Sequence, residues 1–148
     1  MKLFKLSVCA AFAAFMFTAC DDSSSASSDG GKVSYDCTVK DGVKVVYPKG
    51  GESFKMGETI TVIYGSDVQG SGYRFLFKTS EEDAGVDMLP ESAGPESPDG
   101  KTCYETKVTF IGDGDDQNAE PSETAIIRVV PYEKTAKAAN SGTFKVTE

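Results

Sequence analysis

The sequence predicts an all-β fold, an antiparallel β-sandwich of about six to eight short strands. Three observations predict it. After residue 31 no window carries the 3.6-residue apolar stripe of a helix. Several windows instead alternate apolar and polar residues with period two, as half-buried strands do. Glycine, proline and Asp-Gly turn signals separate those windows at short intervals. The chain has 148 residues. Residues 32–148 are enough for one domain with a single hydrophobic core.

Ahead of the domain stand two segments of different chemistry. Lys2 and Lys5 precede an apolar run from Leu6 to Thr18, interrupted only by Ser7. That run suits the h-region of an export signal and falls short of the ~20 residues of a membrane span. Residues 1–19 are therefore expected to be removed. Residues 20–31 begin with Cys20 and continue as Asp, Ser and Gly with only Ala26 added. Such a stretch has no apolar face and is expected to be a disordered tether. Its random-coil span is roughly 18 Å, and fully drawn out it reaches about 37 Å. Ser24-Ser25-Ala26 offers a competing, ordinary cleavage site after Ala26.

The strands follow in order. Val33, Tyr35, Cys37 and Val39 alternate with polar residues, then Asp41-Gly42 leads into Val43 to Tyr47. Asp-Gly between two such runs is a strong hairpin signal, so these runs are expected to pair antiparallel. Pro48-Lys49-Gly50-Gly51 reads as a turn. Ile60, Val62 and Tyr64 mark a strand from Glu58 to Tyr64. Tyr73, Phe75 and Phe77 mark another over about Gly72 to Thr79. Residues 80–101 are acidic and hold Pro90, Pro95 and Pro98, leaving room for one short edge strand at Val86 to Leu89. A loop that long is usually functional or disordered. Tyr104, Thr106, Val108 and Phe110 share one face of a strand from Cys103 to Ile111. Residues 112–123 form a second acidic loop. Thr124 to Tyr132 is the most apolar strand and is expected at the centre, ended by Pro131. Lys134 to Asn140 is a polar connector, and Thr143 to Thr147 closes the fold.

Of the four cysteines, Cys9 lies in the signal. Cys37 and Cys103 remain as a pair in an exported chain, where disulfides persist, so a bridge is expected. Two buried free thiols are the alternative. Cys103 has the opposite parity to the core-facing residues of its strand, which argues against a simple bridge through the core unless a bulge intervenes.

Charge narrows the function. There are 15 Lys+Arg against 23 Asp+Glu, a net charge of −8, and loss of Lys2 and Lys5 deepens it. Such a surface repels nucleic acid and anionic headgroups, so no nucleic-acid partner is expected. The chain has no histidine, the commonest metal ligand and the usual acid/base near neutral pH. No nucleophile-elbow, zinc-protease or phosphate-loop motif occurs. No catalytic residue, metal or cofactor is expected. Glycoside hydrolysis needs two carboxylates across a cleft, and no motif places them. Asp113, Asp115 and Asp116 suggest calcium, but an EF-hand would have Gly and Glu where Asn118 and Thr124 stand. A solvated acidic loop is the expectation there. Stacking on sugars would use exposed tyrosines among Tyr35, Tyr47, Tyr64, Tyr73, Tyr104 and Tyr132. Each lies on or beside an alternating strand, where a core role competes.

Two resemblances add to this reading. Phe17-Thr18-Ala19-Cys20 resembles the lipobox of bacterial lipoproteins, with Phe17 where leucine is usual. It implies a diacylglycerol on the Cys20 sulfur, cleavage before Cys20, acylation of the new amine, and hence a membrane anchor carrying palmitate-like chains. Asp21, directly after the cysteine, is linked to inner-membrane retention in some bacteria. The run from Val45 through Pro48, Gly50-Gly51-Glu52, Phe54 and Gly57 to Thr59-Ile60-Thr61-Val62 resembles the opening of an Ig-like domain. That domain belongs to the Ser/Thr-rich GPI-anchored membrane protein family, and Ser141 to Val146 resembles its closing strand. Tyr64 stands near the place of its tryptophan, and the Cys37 segment is additional. The resemblance implies an Ig-like sandwich used as a spacer or binding unit, without catalysis. The combined expectation is a lipoprotein of a bacterial cell envelope that displays this domain to an envelope protein or polysaccharide. The alternative is a carbohydrate-binding lipoprotein that uses exposed tyrosines.

Overall fold

The computed structural model describes residues 33–148. The expected signal, Cys20 and the tether lie outside the described residues. Among the described residues β1 (Val43–Tyr47), β3 (Thr59–Ser66) and β6 (Tyr104–Thr109) form one sheet in the order β1-β3-β6. The second sheet runs in the order β2 (Ser53–Lys55), β9 (Phe144–Thr147), β7 (Ser122–Pro131), β4 (Tyr73–Lys78), β5 (Val86–Asp87). β8 (Ala139–Asn140) also pairs with β7, and a single 3-10 turn spans Thr135–Lys137. The most apolar strand is central and Val86–Asp87 is an edge, as expected.

The two sheets bury their alternate residues against each other. Ile60, Val62, Tyr64 and Val108 meet Phe75, Phe77, Ile127, Val129, Phe144 and Val146. Phe54 and Phe110 fill one end, their rings 5.8 Å apart, with Phe144 edge-on to Phe54 at 5.4 Å. Aromatic contacts of this kind add to area burial and fix one packing. The outer face of the second sheet is also covered. Leu76, Ile126 and Val130 are buried there, with Gly85 lying against Leu76 and Lys78.

The chain changes sheets between β1 and β2. Pro48 is fully buried at the crossing. The Glu52 carboxylate accepts hydrogen bonds from the Lys49 and Gly50 N–H groups, each 2.8 Å. Gly50 has φ 114, open to glycine without strain. Gly142 packs on the Lys49 carbonyl, and its N–H donates to Pro48 at 3.2 Å. This crossing lets β2 lie parallel to β9, with Phe54 opposite Val146. One parallel pair therefore stands in a sandwich expected to be wholly antiparallel. The strand count is nine among the described residues, against the expected six to eight, because three of the nine have only two or three residues.

The first hairpin is not formed. Residues 33–39 hold no strand, and β1 pairs with β3 instead, Val43 opposite Ser66. The Asp41-Gly42 turn docks instead on the residue that follows β3. Asp41 has φ 61, and the Asp41 and Gly42 N–H groups both donate to the Asp67 carboxylate, at 2.6 and 2.8 Å. The preceding segment is committed elsewhere: the Val39 N–H donates to the Gly100 carbonyl at 3.0 Å and Cys37 is bridged to Cys103, which hold it away from the edge of β1.

Residues 80–101 are tied along β4. Met88 donates to the Phe75 carbonyl at 2.8 Å, and Tyr73 and Ala93 exchange two backbone bonds. The Met88 side chain enters the core.

Candidate functional site

Residues 33–39 are extended but ride on the outer face of the three-stranded sheet. From Ser34 to Lys40 their burial alternates as read from sequence: Cys37 is buried and Tyr35 and Val39 half-buried, while Ser34, Asp36, Thr38 and Lys40 are exposed; Val33, expected on the apolar side, is exposed. Cys37 is bridged to Cys103, with Cα atoms 5.2 Å apart. The off-parity of Cys103 is thereby explained. Tyr64 pairs with Tyr104 and points inward, so Gly65 and Cys103 face outward, where Cys37 lies. Gly65 makes the approach possible. A Cβ there would stand 2.8 Å from the Cys37 carbonyl carbon and closer still to its oxygen. Asp36 caps the Thr38 N–H at 3.0 Å and pairs with Lys44 at 3.1 Å, fixing the segment's flank.

This segment builds one wall of a groove. Tyr35, Tyr47, Glu58, Thr59, Ile60, Thr61 and Ile63 line about 390 Å³. The Tyr35 and Tyr47 rings are 6.2 Å apart and inclined at 61°, so they form an angled cleft and not a flat platform. The Lys49 ammonium sits 5.3 Å from the Tyr35 ring centre, within cation–π reach. Burial, then the Glu52 charge, pushes the Tyr47 phenol up. The outward residues Thr59, Thr61 and Ile63 supply the floor.

The other tyrosines do not join this site. Tyr64 and Tyr73 are core residues. Tyr73 donates to the Ser66 hydroxyl at 2.7 Å. The Tyr64 hydroxyl is buried with no hydrogen-bond partner among the described residues, and burial pushes it up to about 12. Tyr104 accepts from the Asp99 N–H at 3.2 Å. Tyr132 is exposed, one residue past the end of β7 in the other sheet.

Carboxylates of the first acidic loop serve as loop caps. Asp99 accepts from the Thr102 and Lys101 N–H groups at 2.7 and 2.8 Å, which hold it down to about 2. Asp83 is lowered by the Thr79 and Gly85 N–H groups in the same way. In the second loop Asp113, Asp115 and Asp116 are exposed, and among the described residues no three acidic, cysteine or histidine side chains converge as a metal set would. Asn118 organises that loop. Its Oδ1 accepts from Ile111 N–H at 2.8 Å, and its Nδ2 donates to the Met88 carbonyl at 3.3 Å. Sequence reasoning noted Asn118 only as a departure from a calcium loop. A polar residue replacing that glycine was the available signal.

Fold and site define a class: an all-β sandwich whose N-terminal strap is disulfide-bonded to the smaller sheet, leaving a two-tyrosine groove. Comparison with protein-family models, curated proteins and solved structures gives no match to this chain.

Proposed function

We propose that this chain is a non-catalytic lipoprotein of a bacterial cell envelope, held to a membrane through Cys20 and displaying its Ig-like domain for interaction or structural display. Cys20 carries the reading, standing after an apolar run and a small residue and before a polar tether. Two or three acyl chains make such an anchor durable, where one gives only reversible binding. The Cys37–Cys103 bridge agrees with an oxidising compartment. The carboxylates whose pKa is shifted, Asp36, Asp67, Asp83 and Asp99, are all lowered, chiefly by backbone N–H groups. A general acid needs the reverse shift. Cys20→Ala with membrane fractionation is the test. The variant is expected in the soluble fraction, its signal cleaved elsewhere. Unchanged membrane association, or native protein starting at Ser27 without fatty acid, refutes the anchor.

The groove favours a second reading, in which it takes an envelope polysaccharide. Two angled rings over a threonine floor give a sugar one apolar wall and several hydroxyl contacts. Tyr47→Ala is expected to weaken polysaccharide binding in a calorimetric titration by about tenfold. Equal heats from wild type and variant reject it.

A further inference from the structure

β6 is a free edge of the three-stranded sheet, and its backbone is poised for another strand. The Phe110 N–H donates to the Glu58 carbonyl at 3.1 Å, which sets the phase of the β3–β6 ladder. Hydrogen-bonded and non-hydrogen-bonded pairs alternate along an antiparallel ladder. Val108, Thr106 and Tyr104 therefore turn both backbone groups toward β3. Glu105, Lys107 and Thr109 turn theirs away. The 2.7 Å hydrogen bond between the Thr59 and Thr109 hydroxyls agrees, since side chains stand closer in non-hydrogen-bonded pairs. Among the described residues nothing pairs with the outward groups. Of the other edges, β2 and β5 have only three and two residues, and β1, with five, lies against β8 and β7 of the second sheet, whereas β6 has six.

We propose that β6 pairs antiparallel with β6 of a second copy of this chain, about a two-fold axis at Thr106. Only residues with outward groups can exchange backbone bonds across the new seam. Centring on Glu105 or on Lys107 would set each against its own like charge. Centring on Thr106 sets Glu105 opposite the second copy's Lys107, and symmetry repeats the pair. Opposite charges directly across a strand pair stabilise it and like charges destabilise it. Both residues are exposed on the same outward face, free to meet. An edge lysine ordinarily discourages strand pairing. Here the strand carries the matching acid two residues away, so the deterrent spares a copy of itself. The result is a closed, isologous contact that joins two three-stranded sheets into one of six.

Sedimentation equilibrium of the full-length chain in density-matched detergent tests this. Wild type is expected as a dimer. Glu105→Lys and Lys107→Glu should each weaken it at least about tenfold, and the double reversal should restore it. Hydrogen exchange adds a readout that needs no variant. The Glu105 and Lys107 amides should gain protection as concentration rises, while the Thr106 and Val108 amides stay protected throughout. A wild-type monomer at the highest workable concentration overturns the proposal. So does a dimer indifferent to the single reversals, a double reversal that fails to restore it, or exchange at Glu105 and Lys107 that ignores concentration.

Discussion

Replacing Gly65 with alanine tests how the N-terminal strap is seated. The new methyl would point out of the three-stranded sheet directly at the Cys37 backbone, 2.8 Å from its carbonyl carbon. Backbone cannot rotate away as a side-chain tip can, so either the strap lifts or β3 bends. Cys37 cannot lift freely while bonded to Cys103. Overpacking at such a place costs about 1–3 kcal/mol, and the covalent constraint puts Gly65→Ala at the upper end, about 2–3 kcal/mol. For a domain of this size that is roughly 8–12 °C in melting temperature. Urea unfolding with both cysteines bonded gives the measurement, read as a shift in midpoint at unchanged slope. In a Cys37→Ser/Cys103→Ser background the strap can rise, and the same alanine should cost less than about 1 kcal/mol. If Gly65→Ala lies within about 0.5 kcal/mol of wild type while the bridge is intact, the strap does not press on Gly65 and the reasoning fails.

Three further outcomes are expected. Removing the bridge by Cys37→Ser/Cys103→Ser frees a loop with a sequence separation of 66, for which chain entropy gives about 4 kcal/mol. Urea unfolding checks it, with proteolysis near residues 33–39 as the local signature. Tyr64→Phe removes a buried hydroxyl that has no partner and should stabilise the domain by about 1 kcal/mol in the same assay; a clear loss would mean the hydroxyl is satisfied. Asp99 is held at about 2 against an ordinary 3.8, so its contribution is fully present above the ordinary value and is lost as pH falls through the lowered one. The urea midpoint should decline from about pH 4 toward pH 2, and Asp99→Ala should flatten part of that decline. An unaltered acid limb in the variant counts against the capping role.

Much of this fold was legible because burial follows alternation. Val62, Phe75 and Val108 occupy the core places their period predicts. The strap was half legible. Period two showed that residues 33–39 are extended with one face down, but an extended segment can lie beside a strand or across a sheet, and alternation is the same for both. The decisive signal was the parity of Cys103, which reads as an obstacle if the bridge must cross the core and as a direction if it lies outside. β2 was invisible because three residues cannot show a period, and its place depends on contacts with Thr143 to Thr147 far along the chain. The groove follows from the strap and was equally hidden. Tyr35 and Tyr47 look like core tyrosines until the strap brings one over the sheet edge beside the other. The loop-capping aspartates were invisible for a related reason: a carboxylate that binds nearby amides leaves no periodic trace.

The strap also decides how this domain would bear a pull from its N-terminal side. Tension entering ahead of Cys37 passes through the sulfur bridge into Cys103 and on to β6. The chain between the two cysteines, which contains β1 to β5, is out of the line of force. Those strands cannot be peeled one hydrogen bond at a time from that end. Only reduction of the bridge would deliver the load to them.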